Sequence, residues 1–242
     1  MRKVYWAIIL GLLCGAWEAG ANCPVADKVA REKGLSAAEN VYQNCALGQN
    51  EDEAQLYLAR VYATGQGNIP KSRGRALLFY HLSAENGNAT AMVELANLLT
   101  EMDGDEASRR EIVTYMDKIR AQAKIRPANS FRGDLLHPYA LLLLASESPE
   151  SKWFYITKTK SDPRAAQLIK TYKIDPQKKK EVIREATAWK QRKMIDLARE
   201  VFSVAEFNEF YQTLYPKVGL PNSFARAQAV DKLKTRVESR QK

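Results

Sequence analysis

Apolar residues recur along most of this chain at intervals of three and four, the spacing that gathers them on one face of an α-helix. No stretch alternates apolar and polar residues as a half-buried strand pair would. The clearest pattern runs from Ala54 to Ala91. Ala54, Leu58, Ala59 and Tyr62 form one stripe, ended by Gly65 and Gly67. Ala76, Leu77, Tyr80 and Ala84 form a second, which Gly87 stops where a left-handed C-cap needs glycine. The pattern predicts two antiparallel helices with a glycine-rich turn between them. Alanine at the contact positions lets the helices approach closely, while Tyr62 and Tyr80 are large enough to fill the groove between neighbouring pairs.

The same reading predicts helices on either side. Val25, Ala26, Val29 and Ala30 mark a short one, Gly34 a turn, and Ala38, Val41, Tyr42, Cys45 and Ala46 its partner. Further on, Asp162-Pro163 and Asp175-Pro176 each pair a capping side chain with proline at the first helical position. Val182, Ala186, Trp189, Met194, Leu197, Ala198 and Val201 predict one long amphipathic helix. Val204, Phe207, Phe210, Tyr211 and Leu214 predict another, ended by Pro216. Phe224, Ala227, Val230, Leu233 and Val237, capped by Asn222, predict the last. The aromatic residues of these helices read as core rather than as a ligand platform. The expected class is all-α.

The residues between Ala54 and Ala91 resemble the Sel-one-like repeat (SLR), a relative of the tetratricopeptide repeat built from helix pairs. Ala54, Leu58, Tyr62, Gly65, Gly67, Ala76, Phe79, Tyr80, Ser83, Ala84, Gly87 and Ala91 match that family's pattern in order. Departures are Ala59 for a glycine, one inserted residue after Gly67, and Ser72 where the family favours aspartate. Ala91, Leu95, Ala96 and Leu99 restart the first-helix pattern 37 residues after Ala54. Ala165 and Ile169 follow Trp153, Phe154 and Tyr155 at the spacing of a further copy. The copy between them keeps Ala128 but has Pro127 before it and lacks the glycines. The resemblance implies an α-solenoid of stacked helix pairs; a plain helical bundle is the alternative.

The first 21 residues read as an export signal. Arg2 and Lys3 form a basic start, Val4 to Ala16 is apolar, and Ala19-Gly20-Ala21 is a small-x-small cleavage site before Asn22. The apolar run is shorter than the ~20 residues a membrane-spanning helix needs. Cys14 raises the alternative of a lipid anchor, but Leu13 precedes it where a small residue is wanted. Cleavage leaves two cysteines, Cys23 and Cys45, an even pair in an oxidising compartment. Each lies eleven residues from Gly34. Folding that hairpin antiparallel brings both thiols to the same end, and a bridge there is worth roughly 3 kcal/mol in the chain-entropy model. A redox-active pair has no C-x-x-C spacing to support it.

Charge adds one candidate surface. The chain carries a formal +9, and +8 once Arg2, Lys3 and Glu18 leave with the signal. Lys178, Lys179, Lys180, Arg184, Lys190, Arg192, Lys193 and Arg199 concentrate on the long helix against Glu181, Glu185, Asp196 and Glu200. Such a face attracts an anionic partner or is merely solvated. In an exported protein, acidic polysaccharide, lipid headgroups or an acidic protein fit better than nucleic acid.

Candidate chemistry is sparse. His81 and His137 have no metal-ligand spacing around them, and no nucleophile elbow, phosphate loop or dinucleotide fingerprint occurs. Asp103-Gly104-Asp105 is a turn, since Ala107 stands where a calcium loop needs another oxygen. No catalytic, cofactor-binding or metal-binding residue is nominated. The segments are therefore a signal (1–21), a capping hairpin (22–48), helical repeats (49–173, clearest at 54–91) and basic helices (174–242), in one domain with a soft boundary around Pro127 to Gly133. The resemblance implies protein binding rather than catalysis. Exported bacterial relatives look like envelope adaptors, among them a regulator of exopolysaccharide synthesis, an alginate-export scaffold and a flagellar-motor component. The expected function is a periplasmic, non-catalytic adaptor that binds an envelope protein through a repeat groove. The alternative is a module that binds anionic polysaccharide or lipid headgroups through the basic helix.

Overall fold

The structure is a computed structural model that describes residues 23–101, 135–147, 161–216 and 222–240. Expectations on the signal, Asp103-Gly104-Asp105, the copy at Ala128, the boundary at Pro127 to Gly133 and the Trp153 to Tyr155 segment lie outside those residues. Ten α-helices and no strand occur among the described residues: α1 (Pro24–Lys33), α2 (Leu35–Gln43), α3 (Asp52–Thr64), α4 (Arg73–Glu85), α5 (Ala89–Glu101), α6 (Pro138–Ser146), α7 (Pro163–Thr171), α8 (Pro176–Val201), α9 (Val204–Leu214) and α10 (Ser223–Arg240). No described helix is long and apolar enough to cross a membrane. The chain divides into two compact units, one of residues 1–84 and 104–125, the other of residues 85–103 and 126–242. The repeat-like pair α3 and α4 lies in the first unit apart from Glu85. The restart at Ala91 lies in the second.

In the first unit, α1 and α2 form a hairpin about Gly34, whose φ of 87° is a conformation that favours glycine. Cys23 and Cys45 are joined by a disulfide with Cα atoms 6.2 Å apart. Cys45 sits in a π-helical turn, Asn44–Gly48, that extends α2. Ala26, Ala30, Ala38 and Tyr42 are buried, but Val25 points to solvent at 67% exposure, one position off the buried face. Next in the chain, α3 and α4 lie antiparallel: Ser83, late in α4, donates to the carbonyl of Asp52 at the start of α3 (2.8 Å). The Tyr62 and Phe79 rings stack at 5.7 Å. Gly67 (φ 55°) fits against the hairpin so tightly that a Cβ there would stand 2.8 Å from the Leu35 Cβ.

The second unit is built on α8. Near its N-terminal half, α5 packs on α6, and α6 packs on α7 and α8. Ala91, Met92, Leu95 and Leu99 of α5 and Tyr139, Leu141, Leu142 and Leu144 of α6 are buried there. Asp162 and Asp175 cap α7 and α8 as their proline pairs predict. Asn222 Oδ1 accepts from the amides of Phe224 and Ala225. The C-terminal half of α8 joins α9 and α10 around Met194, Ala198, Val201, Phe202, Phe210, Leu214, Leu233 and Val237. Three expected core residues face outward instead: Val204 at 81%, Phe224 at 68% and Tyr211 at 42% exposure. Ala227 is exposed as well. Val204 and Phe224 lie in the first turns of their helices and off the buried faces: at about 100° per residue Phe224 stands half a turn round from Leu233.

Candidate functional site

The repeat-signature side chains are spent on the core. Ala54, Leu58, Tyr62, Ala76 and Ala91 are wholly buried, and Tyr80 and Ala84 nearly so. Gly65, Gly67 and Gly87 all take positive φ. Tyr62 does more than fill space. Its hydroxyl donates to Glu39 Oε1 (2.5 Å) and accepts from Gln43 Nε2 (2.8 Å), while the Arg75 guanidinium lies 5.2 Å from its ring centroid. Burial and the Glu39 carboxylate push its pKa up to about 12. This ties α2, α3 and α4 together.

The basic residues of α8 do not form one face. Lys178, Lys179, Lys180 and Arg184 are exposed near the helix start. Lys178 pairs with Glu181 (3.0 Å), and the Lys179 ammonium lies 5.7 Å from the Tyr139 ring centroid. Lys190, Arg192 and Lys193 are instead held by carboxylates of their own unit. Lys190 pairs with Glu147, and Glu85 receives Arg192 (3.3 Å), Lys193 (2.8 Å) and the Trp189 indole N–H (3.0 Å). Burial lowers the pKa of Lys193, and Glu85 opposes that shift. Lys193 falls four residues after Trp189 and seven after Ala186, so it lies on the apolar stripe. That register was visible in the sequence, but a count of charges conceals it.

An open cleft of about 320 Å³ lies where α5, α6 and α7 meet, lined by Asn97, Thr100, Leu142, Leu168, Thr171, Tyr172 and Lys173. Leu142 and Leu168 give it an apolar patch. Thr100 and Thr171 donate their hydroxyl protons to Ala96 and Leu168 carbonyls, which leaves the hydroxyl oxygens as acceptors. Asn97 can donate and accept, and Lys173 brings a cation. Tyr172 belongs to an aromatic group with Tyr139 (5.6 Å) and His137 (6.1 Å). The His137 Nδ1 caps α6 by accepting from the Tyr139 amide (3.1 Å), and His81 is buried. Among the described residues no group of three or more His, Cys, Asp or Glu could hold a metal. The volume is at the small end for ligand sites, room for one or two side chains of a partner. Sequence reasoning missed this cleft because none of its residues departs from an ordinary helix surface. Tyr172, an aromatic stranded between a helix end and the Asp175-Pro176 cap, is its one local signal.

Comparison with known protein families, curated proteins and solved structures finds no match to this chain.

Proposed function

We propose that the chain is a non-catalytic adaptor of the bacterial envelope, an exported protein whose Sel-one-like helix pairs stack as a solenoid and hold a partner protein. The observation that carries the reading is the cleft between α5, α6 and α7, where apolar floor, acceptor hydroxyls, an amide and a cation converge. That mixture suits a peptide segment, whose backbone N–H groups need acceptors and whose side chains need apolar contact. The burial of the signature positions and the disulfide favour the repeat and export parts of the reading.

A photoreactive residue placed at Thr171 in intact cells tests it. One partner should be captured from Thr171 and not from Lys28, and adding Asn97→Arg should abolish capture. Loss of nothing on Asn97→Arg, or substrate turnover by the pure protein, refutes the adaptor. Protein recovered from the periplasm should begin at Asn22; retained Met1 refutes export. The exposed Lys178, Lys179, Lys180 and Arg184 favour a second reading, attraction of an anionic polysaccharide or lipid surface. It predicts affinity that falls steeply with salt and with Lys179→Glu, whereas the cleft reading predicts indifference to both.

A further inference from the structure

Over its first half, α8 buries one side and leaves the other open. Val182, Ala186 and Trp189 are the buried side. At about 100° per residue, Lys180 and Arg184 stand nearly opposite them, Lys179 stands at their border, and Ile183 and Thr187 fall between Lys179 and Lys180. All five of these residues are exposed, Ile183 at 44% although it is a large apolar side chain.

The open side carries no carboxylate between Pro176 and Gln191. Glu181 and Glu185 lie beyond Arg184 round the helix, and both are engaged: Glu181 pairs with Lys178 (3.0 Å), and Glu185 accepts from the His137 amide (3.3 Å). Asp175, ahead of the helix, accepts from the amides of Gln177 and Lys178. Among the described residues no carboxylate pairs with Lys180 or Arg184. Exposed Lys173 adds a cation from the side, since its neighbour Tyr172 and the Lys179 ammonium both lie against the Tyr139 ring, at 5.6 and 5.7 Å.

We infer that this side of α8 docks on an anionic lipid surface, with Lys179, Lys180 and Arg184 among the headgroups and Ile183 entering the boundary with the acyl chains. The inference rests on the second reading above and chooses between its two anions. Ile183 decides the choice. An isoleucine set among cations gains by leaving water only where the partner offers an apolar phase, which a lipid surface holds beneath its headgroups and a polysaccharide lacks. The open side also carries no aromatic ring on which a sugar could stack. Two of its three cations are lysines, point charges on flexible stems that follow mobile headgroups and do not need the fixed geometry of a bidentate contact. Each cation brought to such a surface is worth about fivefold in affinity.

Co-sedimentation of the protein beginning at Asn22 with phosphatidylcholine vesicles, with and without phosphatidylglycerol, tests the inference beside affinity electrophoresis in polygalacturonate. Vesicles containing phosphatidylglycerol should bind more than about tenfold better than phosphatidylcholine alone, and the difference should shrink as salt rises. Lys180→Gln should weaken vesicle binding about fivefold. Ile183→Ser should weaken it roughly fivefold as well. Neither should move the melting temperature, because both side chains are exposed. Equal binding of the two vesicles, or full binding by Ile183→Ser, would overturn the inference. Binding of polygalacturonate but not of vesicles, lost with Lys180→Gln, would overturn it and leave the second reading in place, whereas binding of neither removes both. Capture from Thr171 in the cleft depends on none of these results.

Discussion

Changing Glu85 to Gln removes one negative charge from an enclosed ionic group of the second unit. The Glu85 side chain is 5% exposed, Lys193 beside it 12%, and Trp189 is 1% exposed. Glutamine keeps the shape and an acceptor for the indole N–H at 3.0 Å, so the substitution tests charge and little else. The Lys193 ammonium then keeps Asp196 as a nearby opposite charge but loses its closest one. Removing one partner of a buried pair costs about 3–5 kcal/mol.

An independent ceiling follows from Lys193 itself. A lysine that cannot keep its proton in the folded state can shed it, and from a reference pKa of 10.5 that costs about 5 kcal/mol at pH 7 and a little over 1 at pH 9.5. The sign is fixed by burial. The folded pKa lies below the unfolded one, so the unfolded chain binds more protons between the two values and stability rises with pH across that window. Glu85→Gln pushes the folded value lower still. Urea unfolding followed by circular dichroism and tryptophan fluorescence should therefore show a loss of about 3–4 kcal/mol at pH 7 that shrinks to about 1–2 at pH 9.5. A loss under about 1 kcal/mol at pH 7, or one that does not change with pH, would mean that Lys193 is hydrated and that the ionic group is not enclosed.

Tyr62→Phe removes the hydroxyl that bonds Glu39 and Gln43 and should cost about 1.5–3 kcal/mol; ultraviolet titration should place Tyr62 ionisation near 12, with stability falling as pH climbs from about 10 to that value. Tyr80→Ala should cost ~3 kcal/mol or more, and an unchanged melting temperature would remove Tyr80 from the core. Replacing Cys23 and Cys45 together by serine should cost about 3 kcal/mol, and the unreduced protein should show no labelled thiol at either position. Gly67→Ala should destabilise by about 1–3 kcal/mol, because φ is 55° and the nearest atom is the Leu35 Cβ, which has no side-chain freedom to withdraw. A neutral Gly67→Ala would show that the turn shifts instead.

Helix existence was legible in this sequence because it is local. Apolar spacing, the two Asp-Pro caps and the glycines that close α3 and α4 are each settled by a handful of neighbouring residues. Cys23 and Cys45 were legible because the hairpin between them is symmetric about Gly34. What a loose spacing does not reveal is which of two neighbouring faces the partner covers. Val204, Tyr211 and Phe224 fit a loose three-and-four spacing, yet at about 100° per residue they lie off the faces that Phe210, Leu214 and Leu233 bury. Residue type misleads in the opposite way on α8, where Lys190, Arg192 and Lys193 look like surface although their partners, Glu147 and Glu85, lie 43 to 108 residues away in the chain. The cleft was hidden for the same reason: Asn97, Thr100 and Thr171 acquire meaning only when α5 and α7 face each other.

The register of α8 shows how one helix can serve two cores. At 100° per residue, Val182, Ala186 and Trp189 share a face, while Met194, Ala198 and Val201 share another turned by roughly a third of a revolution. The change of face falls in the step of five between Trp189 and Met194. Before it, α8 packs on α6, which floors the cleft; after it, α8 packs on α9 and α10. Lys193 and Asp196 lie in line with the first face after that face has lost its apolar residues, so the helix changes face through a charged segment rather than through a kink. A continuous helix of 26 residues is about 39 Å long, and neither end can turn without the other. The cleft and the C-terminal core are therefore kept at a fixed separation by a single rigid element.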